Sequence, residues 1–428
     1  MLKIFNKLIS VFNISMIGFI HGHNYLKRSQ LKKIRKALQF ESNTYTKIFE
    51  SRYAKKIGNG EAISFASARM GFYTLMQAIE IQPDDEIILC GLTCSVMPNA
   101  VLRLGAKPIY CDIDMDTLGS SAKSIKEKIT SKTRIIVAQH SFGIPCNIEE
   151  ICKICKKNNI FLIEDCAITF GSKYKNKNVG TFGDAALFST DHTKPINTFT
   201  GGLVYSEDLK TIKKLRIAQE KLHDIPINKK KAIYKQFTLE RLLAKPKAYG
   251  ILNFINSVMG FIRKKLNTIS PFLDEDDGLH FNNLSYSYPS KMPDFIALIG
   301  IYELENWNKV ALQRKESMNY FKTKLKNSLL RSFIPNAYFD DNRDIVPLRF
   351  AFSHPKSKNI KDLLGELVDF DSVWFLKPII NTKVSLESFL YITGSCRNSE
   401  KSCPHMINLP LTDNKTIDIM LNKISKKV

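Results

Sequence analysis

The sequence lacks the long apolar runs and the paired cysteines that mark membrane-spanning and disulfide-bonded secreted proteins. The apolar run at residues 8–20 is shorter than the ~20 residues that a membrane-spanning helix needs. No small-residue cleavage site follows that run, which argues against a signal peptide. The nine cysteines are scattered and odd in number, a usage that favours a reducing compartment. We therefore expect a cytoplasmic protein.

The sequence also lacks a zinc motif and a recognisable nucleic-acid-binding module. Cys152 and Cys155 form a C-x-x-C, but no second C-x-x-C completes a zinc site, so we interpret both as core-facing thiols of a helix and predict no metal. The net charge is +22, from 63 Lys+Arg against 41 Asp+Glu. This balance favours anionic partners such as nucleotides or an acidic membrane surface, although lysine is plentiful throughout the chain. Binding to nucleic acid rests on charge alone and is the weakest hypothesis.

The chain is organised around residues 161–205, which contain three short apolar runs typical of buried strands. The first run, residues 161–163, ends in Glu164-Asp165. The second, residues 185–188, ends in Ser189 and is followed by Lys194. The third, residues 203–205, comes directly after a Gly-Gly pair. Each predicted strand is therefore joined to residues that can do chemistry.

An acid after one core strand and a lysine after another is the pattern that a pyridoxal phosphate site needs. The acid, Asp165, would keep the pyridine nitrogen protonated, Lys194 would form the Schiff base, and the Ser189 hydroxyl would bind phosphate. Taken singly, Asp165 could cap a helix and Lys194 could be solvated. The combination with the Gly-Gly pair and the Gly-Thr-Phe-Gly-Asp turn at residues 180–184 makes those alternatives weaker.

The same stretch resembles the DegT–DnrJ–StrS family of fold-type-I, pyridoxal-phosphate-dependent sugar aminotransferases. The resemblance lies in E-D-x-A, G-T-F-G-D-A-A-x-F-S, T-K and G-G, here Glu164, Asp165, Ala167, residues 180–186, Phe188, Ser189, Thr193, Lys194, Gly201 and Gly202. It implies an α/β fold with a large, mostly parallel sheet domain and a smaller C-terminal α/β domain. It also implies amino transfer, with glutamate as the donor, to a keto sugar linked to a nucleotide. A homodimer is expected on the same basis.

Further cofactor-binding residues follow from the resemblance, several of them altered. Ser67-Ala68-Arg69 stand at a strand-to-helix turn that would bind the cofactor phosphate, where a helix N-terminus favours anions. Ala68 replaces a glycine of the family pattern and is compatible only with a negative φ. Cys94 stands where many family members have an aromatic residue, and Ile168 where they have Gln or His. His140 is expected to line the floor of the site or to satisfy backbone groups.

Lys291 takes the place of an Arg that reaches the phosphate of a neighbouring subunit in the family. Lysine is a point charge and cannot form the two parallel hydrogen bonds of an arginine, and the Asn that accompanies this Arg is missing.

The altered residues leave alternatives open. The chain could be an aminotransferase of altered scope, a related sugar dehydratase, or a non-catalytic binding protein. Dehydratases of this fold replace the Schiff-base lysine with histidine, so Lys194 argues against them.

We predict three parts of the chain: a basic, amphipathic N-terminal arm (1–60), a large cofactor-binding domain (61–280) with a helical insertion (206–280), and a small domain (281–428). The family resemblance covers roughly residues 60–205 and 285–412. Residues 249–262 are apolar, too short to span a bilayer, and followed by Arg263-Lys264-Lys265. Residues 240–266, together with residues 1–26, are predicted to form a basic, amphipathic surface. This surface could contact an anionic membrane from the cytoplasmic side or lie in a subunit interface.

Several local elements are also predicted. We expect a helical lead-in within residues 27–60, a strand at 63–65 and a helix at 69–79. In the C-terminal part we expect a strand at 345–352, a helix at 360–367 and a strand at 373–376.

Overall fold

The computed structural model describes residues 16–20, 22–40, 42–245, 248–266, 269–273, 284–370, 374–382 and 384–425, without the side chain of residue 264. Most of the predicted amphipathic run at residues 8–20, and part of the basic surface at residues 240–266, fall outside these ranges. No helix within them is long and apolar enough to cross a bilayer.

A seven-stranded sheet forms the centre of the molecule, with strand order β1-β10-β9-β6-β5-β2-β4. The strands are β1 (Glu61–Phe65), β2 (Glu86–Cys90), β4 (Lys107–Cys111), β5 (Thr133–Gln139), β6 (Phe161–Asp165), β9 (Ala185–Ser189) and β10 (Gly202–Ser206). Only β10 runs against the others, because it pairs antiparallel with both β1 and β9. The strands are apolar on both sides, as expected of a parallel sheet covered by helices.

Helices cover both faces of this sheet and continue into the C-terminal part. Their bounds are α1 Arg28–Gln39, α2 Thr44–Ile57, α3 Ala68–Ala78, α4 Val96–Leu102, α5 Ala122–Lys128, α6 Ile148–Asn158, α7 Leu209–Glu220, α8 Ile227–Leu243, α9 Tyr249–Leu266, α10 Asp294–Leu325, α11 Ser357–Leu364, α12 Arg397–Ser402 and α13 Asn414–Ser425. Short 3₁₀ turns lie at Leu329–Phe333, Asn336–Phe339, Glu387–Phe389 and Cys403–His405. The predicted lead-in is confirmed as α1 and α2, and the predicted helix at 69–79 as α3.

The small C-terminal unit is built on a two-stranded antiparallel sheet, β12 (Phe350–Ser353) with β14 (Met406–Leu409). Of the strand predicted at 345–352, only the last residues, from Phe350 onward, form a strand. The predicted strand at 373–376 is wrong for residues 374–376. The strand lies later, at β13 (Ile379–Ile380), because this segment crosses to the large domain and pairs with β3 (Thr93–Cys94). A further small sheet joins β7 (Lys173–Tyr174), β8 (Lys177–Asn178) and β11 (Arg343–Asp344).

The described end of the N-terminal arm packs on the small unit. Ile17 forms a parallel bridge with Val368 and exchanges backbone hydrogen bonds with residues 367 and 369. Phe19 is buried beneath the guanidinium of Arg349, whose central carbon lies 3.9 Å from the ring centre. Residues 16–20 therefore pack against the small unit of the same chain.

Candidate active site

The carboxyl ends of the parallel strands border a cavity of about 490 Å³. Ligands bind at this edge of open α/β sheets because the loops that leave the strands diverge there. The cavity is lined by the predicted residues Ser67, Ala68, Arg69, Cys94, Asp165, Ile168, Ser189 and Lys194. The structure therefore brings together eight of the nine residues that the sequence assigned to the site.

Lys194 is half-buried in this cavity, in the loop between β9 and β10. Burial lowers the pKa of its amine to about 8, and the nearby carboxylates of Asp191 and Asp165 offset only part of that effect. Its Nζ lies 3.8 Å from the ring centre of Trp374. About a tenth of this amine is consequently neutral, and so nucleophilic, at pH 7, far more than for an ordinary lysine.

Asp165 ends β6 and is almost fully buried. Burial raises the pKa of its carboxyl group, although the Ala167 N–H donates to Oδ1 over 2.9 Å and lowers it in part. No lysine, arginine or histidine of the described chain lies within ion-pair distance of this carboxylate, which faces the cavity. A buried acid of this kind fits a cationic partner such as a protonated pyridine nitrogen.

Ser67 lies just before the first turn of α3. Its Oγ is buried and has no hydrogen-bond partner among the described residues. Ala68 begins the helix and does not have a positive φ, so the condition set for replacing glycine is met. An unpartnered hydroxyl beside the N–H groups of an eleven-residue helix fits a phosphate group. Together with Lys194 and Asp165, these residues fit pyridoxal phosphate.

The remaining predicted residues divide between the cavity wall and positions away from it. Ile168 is buried in the wall, and Cys94 accepts a long hydrogen bond from Asn381 Nδ2 (3.4 Å). Lys291 does not line the cavity of its own chain; its backbone N–H donates to the carbonyl of His223. Its predicted reach into a neighbouring subunit stays a prediction.

His140 and Glu164 are structural neighbours of the site. Glu164 Oε1 accepts the N–H groups of Phe182 and Gly183, and its Oε2 accepts the N–H of Gly180. His140 Nδ1 accepts the Cys146 N–H, so its Nε2 carries the proton donated to Glu164 over 3.0 Å. His140 was predicted to line the floor of the site or to satisfy backbone groups. It does the latter, because it accepts the buried N–H of Cys146.

Several cavity residues were not predicted from the sequence: Gln139, Asp191, His192, Phe199, Thr200, Phe272, Trp374 and Asn381. Asp191 and His192 could have been found, since they lie three and two residues before Lys194. Asp191 Oδ1 lies 2.5 Å from His192 Nδ1, and its charge raises the pKa of the imidazole although burial opposes this. Trp374 and Asn381 carry no local sequence signal, because only the fold brings their segment to the cavity.

Comparison with known proteins identifies relatives across nearly the whole chain. The model of the DegT/DnrJ/EryC1/StrS aminotransferase family matches residues 25–247 and 260–423. GDP-perosamine synthase from Escherichia coli O157:H7 is 40% identical over 164 residues, which is 38% of this chain and 45% of that protein. The chain thus aligns with less than half of this relative. The uncharacterized protein MJ1066 of Methanocaldococcus jannaschii is 26% identical over 89% of each chain.

Solved structures share the fold at low sequence identity. Helicobacter pylori PseC, an aminotransferase of pseudoaminic acid biosynthesis, has a TM-score of 0.70 and 18% identity, covering 96% of this chain and 98% of its own. DesI, solved in the presence of its TDP-sugar product, has a TM-score of 0.69 and 17% identity, covering 97% of this chain and 93% of its own. These likenesses confirm the expected α/β architecture with a mostly parallel central sheet.

Proposed function

Since the chain belongs to the DegT/DnrJ/EryC1/StrS aminotransferase family, we propose that it transfers an amino group, with glutamate as donor, to a keto sugar linked to a nucleotide. Pyridoxal phosphate is the cofactor that the family implies. The observation that carries this proposal is the convergence of Asp165, Lys194 and the unpartnered Ser67 hydroxyl on one cavity. Relatives named GDP-perosamine synthase support a role in making amino sugars for surface glycans.

When bound, pyridoxal phosphate supplies an electron sink that stabilises negative charge on the carbon next to the transferred amino group. Asp165 would hold the pyridine nitrogen protonated, which that role requires. Ser67 and Arg69, around the start of α3, would bind the phosphate together with the hydroxyl of Ser189. Lys194 would be the attachment point, and its amine would hold and move the proton. A neutral amine is needed for both tasks, and burial of Lys194 provides it.

The two alternatives have no support among the described residues or the relatives. A dehydratase of this fold has histidine in place of the attachment lysine, whereas Lys194 itself lines the cavity here. The non-catalytic alternative rests on Cys94 and Ile168. Both line the cavity, but Asp165 and Lys194 line it as well.

The half-reaction with the amino donor tests the proposal. The purified protein, loaded with pyridoxal phosphate and given glutamate, is expected to release 2-oxoglutarate and to change its visible absorption spectrum. Asp165→Asn should fold and bind cofactor but slow this step by at least a hundredfold, because the amide cannot hold the ring nitrogen protonated. Exchange with a keto-sugar nucleotide then completes the cycle. Absence of any spectral change with glutamate, in a protein that has bound the cofactor, would refute amino transfer from that donor.

We also propose a homodimer in which Lys291 of one subunit reaches the site of the other. The proposal is supported by its half-buried position outside the cavity of its own chain. Mixing a Lys194→Ala variant with a Lys291→Ala variant tests it. If each site uses residues of both subunits, the hybrid recovers one intact site, and activity returns. Light scattering that shows an active monomer would count against the dimer.

The insertion supports a peripheral contact with an anionic membrane. The first half of α9 is buried through Tyr249 and Leu252, but its second half exposes Met259, Phe261, Ile262 and Leu266, with Lys265 alongside. Each basic residue near an anionic surface contributes about 1 kcal/mol, and buried apolar side chains add to this.

Liposome flotation at low salt separates this proposal from the alternative of a subunit interface. We expect binding to anionic vesicles that is weakened by the pair Lys245→Glu and Lys265→Glu. The pair Lys358→Glu and Lys401→Glu is the matched control, because these exposed lysines lie on the small unit. No flotation, with the first pair turning the protein monomeric, would favour the interface.

A further inference from the structure

Trp374 lies directly against the amine that would carry the cofactor. Lys194 Nζ is 3.8 Å from the centre of its indole ring, and Trp374 is half-buried in the cavity wall. This distance is that of a cation–π contact, in which an ammonium group rests on the face of an aromatic ring. A side chain from the C-terminal part of the chain thus covers the reactive group of the large domain.

The surrounding contacts hold the indole in place. The backbone N–H of Trp374 donates to Asn408 Oδ1 over 3.0 Å, and Asn408 lies on β14 of the small unit. Phe375 packs edge-on against the indole, with ring centres 5.8 Å apart and planes at 87°. A few residues later, β13 pairs with β3 beside Cys94. The segment is therefore fixed at both ends, one on each unit.

Geometry determines what the indole would contact. Any group bonded to Lys194 Nζ would begin beside the Trp374 face, because that atom lies 3.8 Å from the centre of the indole ring. A ring attached through one further carbon would be tethered close to the indole, and aromatic rings attract each other at centre distances of about 4.5–7 Å. The thiol of Cys94 and the amide of Asn381, which also line the cavity, offer no such face.

We propose that Trp374 is a positioning residue for the cofactor: its indole covers Lys194 and packs against the pyridine ring bonded to that lysine. The inference rests on the proposed function. It assigns the C-terminal segment a role in the site, because the small unit supplies an aromatic wall to a cavity formed mainly by the large domain. An aromatic contact of this kind accounts for about a tenfold difference in cofactor affinity.

The test compares Trp374→Leu with Trp374→Phe, and uses Trp307→Phe as the matched control. Trp307 is the only other tryptophan of the chain and is buried against Phe170, away from the cavity. Equilibrium binding of pyridoxal phosphate should be about tenfold weaker in the Leu variant, within about threefold of wild type in the Phe variant, and unchanged in the control. The visible circular dichroism band of the bound cofactor should shrink in the Leu variant alone, because the ring is no longer held in one orientation.

A second measurement needs no change at Trp374. In the Trp307→Phe protein all indole fluorescence comes from Trp374, and collisional quenching by acrylamide should become several-fold less efficient when cofactor is bound. This inference would be overturned, and the proposed function left standing, by either of two results. One is a Trp374→Leu variant with the cofactor affinity and dichroism band of wild type; the other is equal quenching with and without cofactor. A wild-type protein that binds no pyridoxal phosphate would overturn the proposed function and this inference with it.

Discussion

At the scale of single residues, the proposed attachment of the cofactor requires that the amine of Lys194 be partly neutral. Burial lowers its pKa to about 8 from an ordinary value near 10.5. The amine is protonated below that pH and neutral above it. The rate at which pyridoxal phosphate attaches should therefore rise with pH through about 8 and level off above it, with about a hundredfold difference between pH 6 and pH 9.

Stopped-flow absorbance on the cofactor-free protein measures this profile. Asp191→Asn provides the internal check, because the Asp191 carboxylate raises the pKa of Lys194 and its removal should move the midpoint to lower pH. A midpoint near 10.5 in wild type would mean that the amine is solvated, contrary to its position in the cavity.

Ser67 gives a second prediction at this scale. Its buried hydroxyl has no partner in the described chain, so Ser67→Ala should not destabilise the cofactor-free protein. The same change should weaken pyridoxal phosphate binding about tenfold, because a hydrogen bond to a charged phosphate is lost. Binding of pyridoxal, which has no phosphate, should be unaffected. Equal losses for both ligands would show that Ser67 acts through the fold and not through the phosphate.

Much of the site could be predicted at this scale from the sequence, because the residues lie at the ends of strands with clear apolar patterns. Asp165 and Ser189 each end a predicted strand, and Lys194 follows one. Phe272 and Trp374 could not be predicted to line the cavity. They reach it from segments distant in sequence, and no local pattern records a contact between such segments.

At the scale of elements, α9 of the insertion packs against the N-terminal arm through Tyr249. The family match skips residues 248–259, which include the first part of this helix. Tyr249 occupies the space above Gly18, where an added Cβ would meet the ring at 1.6 Å. Tyr249 also donates a long hydrogen bond to Asp369 of the small unit (3.5 Å). The ring therefore packs where the arm and the small unit meet.

Gly18→Ala should release the arm, because the methyl group and the Tyr249 ring cannot share this space. We expect a loss of about 1–3 kcal/mol in the free energy of unfolding and faster limited proteolysis near residues 16–20. Gly260→Ala is the matched control, placed on the helix that carries Tyr249, since a Cβ there meets nothing within 4 Å. Identical proteolysis of the two variants would show that the arm is not held by this contact.

The elements also show where the sequence pattern was insufficient. The strand predicted at residues 373–376 was placed from its apolar residues, but strand pairing decides the outcome. The residues that pair with β3 are Ile379 and Ile380, and residues 374–376 have no strand partner. Trp374 and Phe375 line the cavity wall and do not belong to a sheet, and Leu376 is exposed.

At the scale of the whole molecule, the parts of the chain meet at one cavity. The parallel sheet supplies Asp165 and Ser189, the loop after β9 supplies Lys194, the insertion supplies Phe272, and the C-terminal segment supplies Trp374. A cofactor bound there would contact each of these parts, so its binding should stabilise the folded chain as a unit. The net charge of +22 is consistent with anionic ligands such as a nucleotide-linked sugar.

The proposed function depends above all on Lys194 as the attachment point of pyridoxal phosphate. Borohydride reduction of the cofactor-loaded protein, followed by peptide mass spectrometry, identifies the modified residue. We expect a pyridoxyl group on Lys194, retained in a Lys177→Arg control that alters an exposed surface lysine, and lost in Lys194→Arg. A pyridoxyl group on another lysine, or on none, would contradict the role proposed for Lys194.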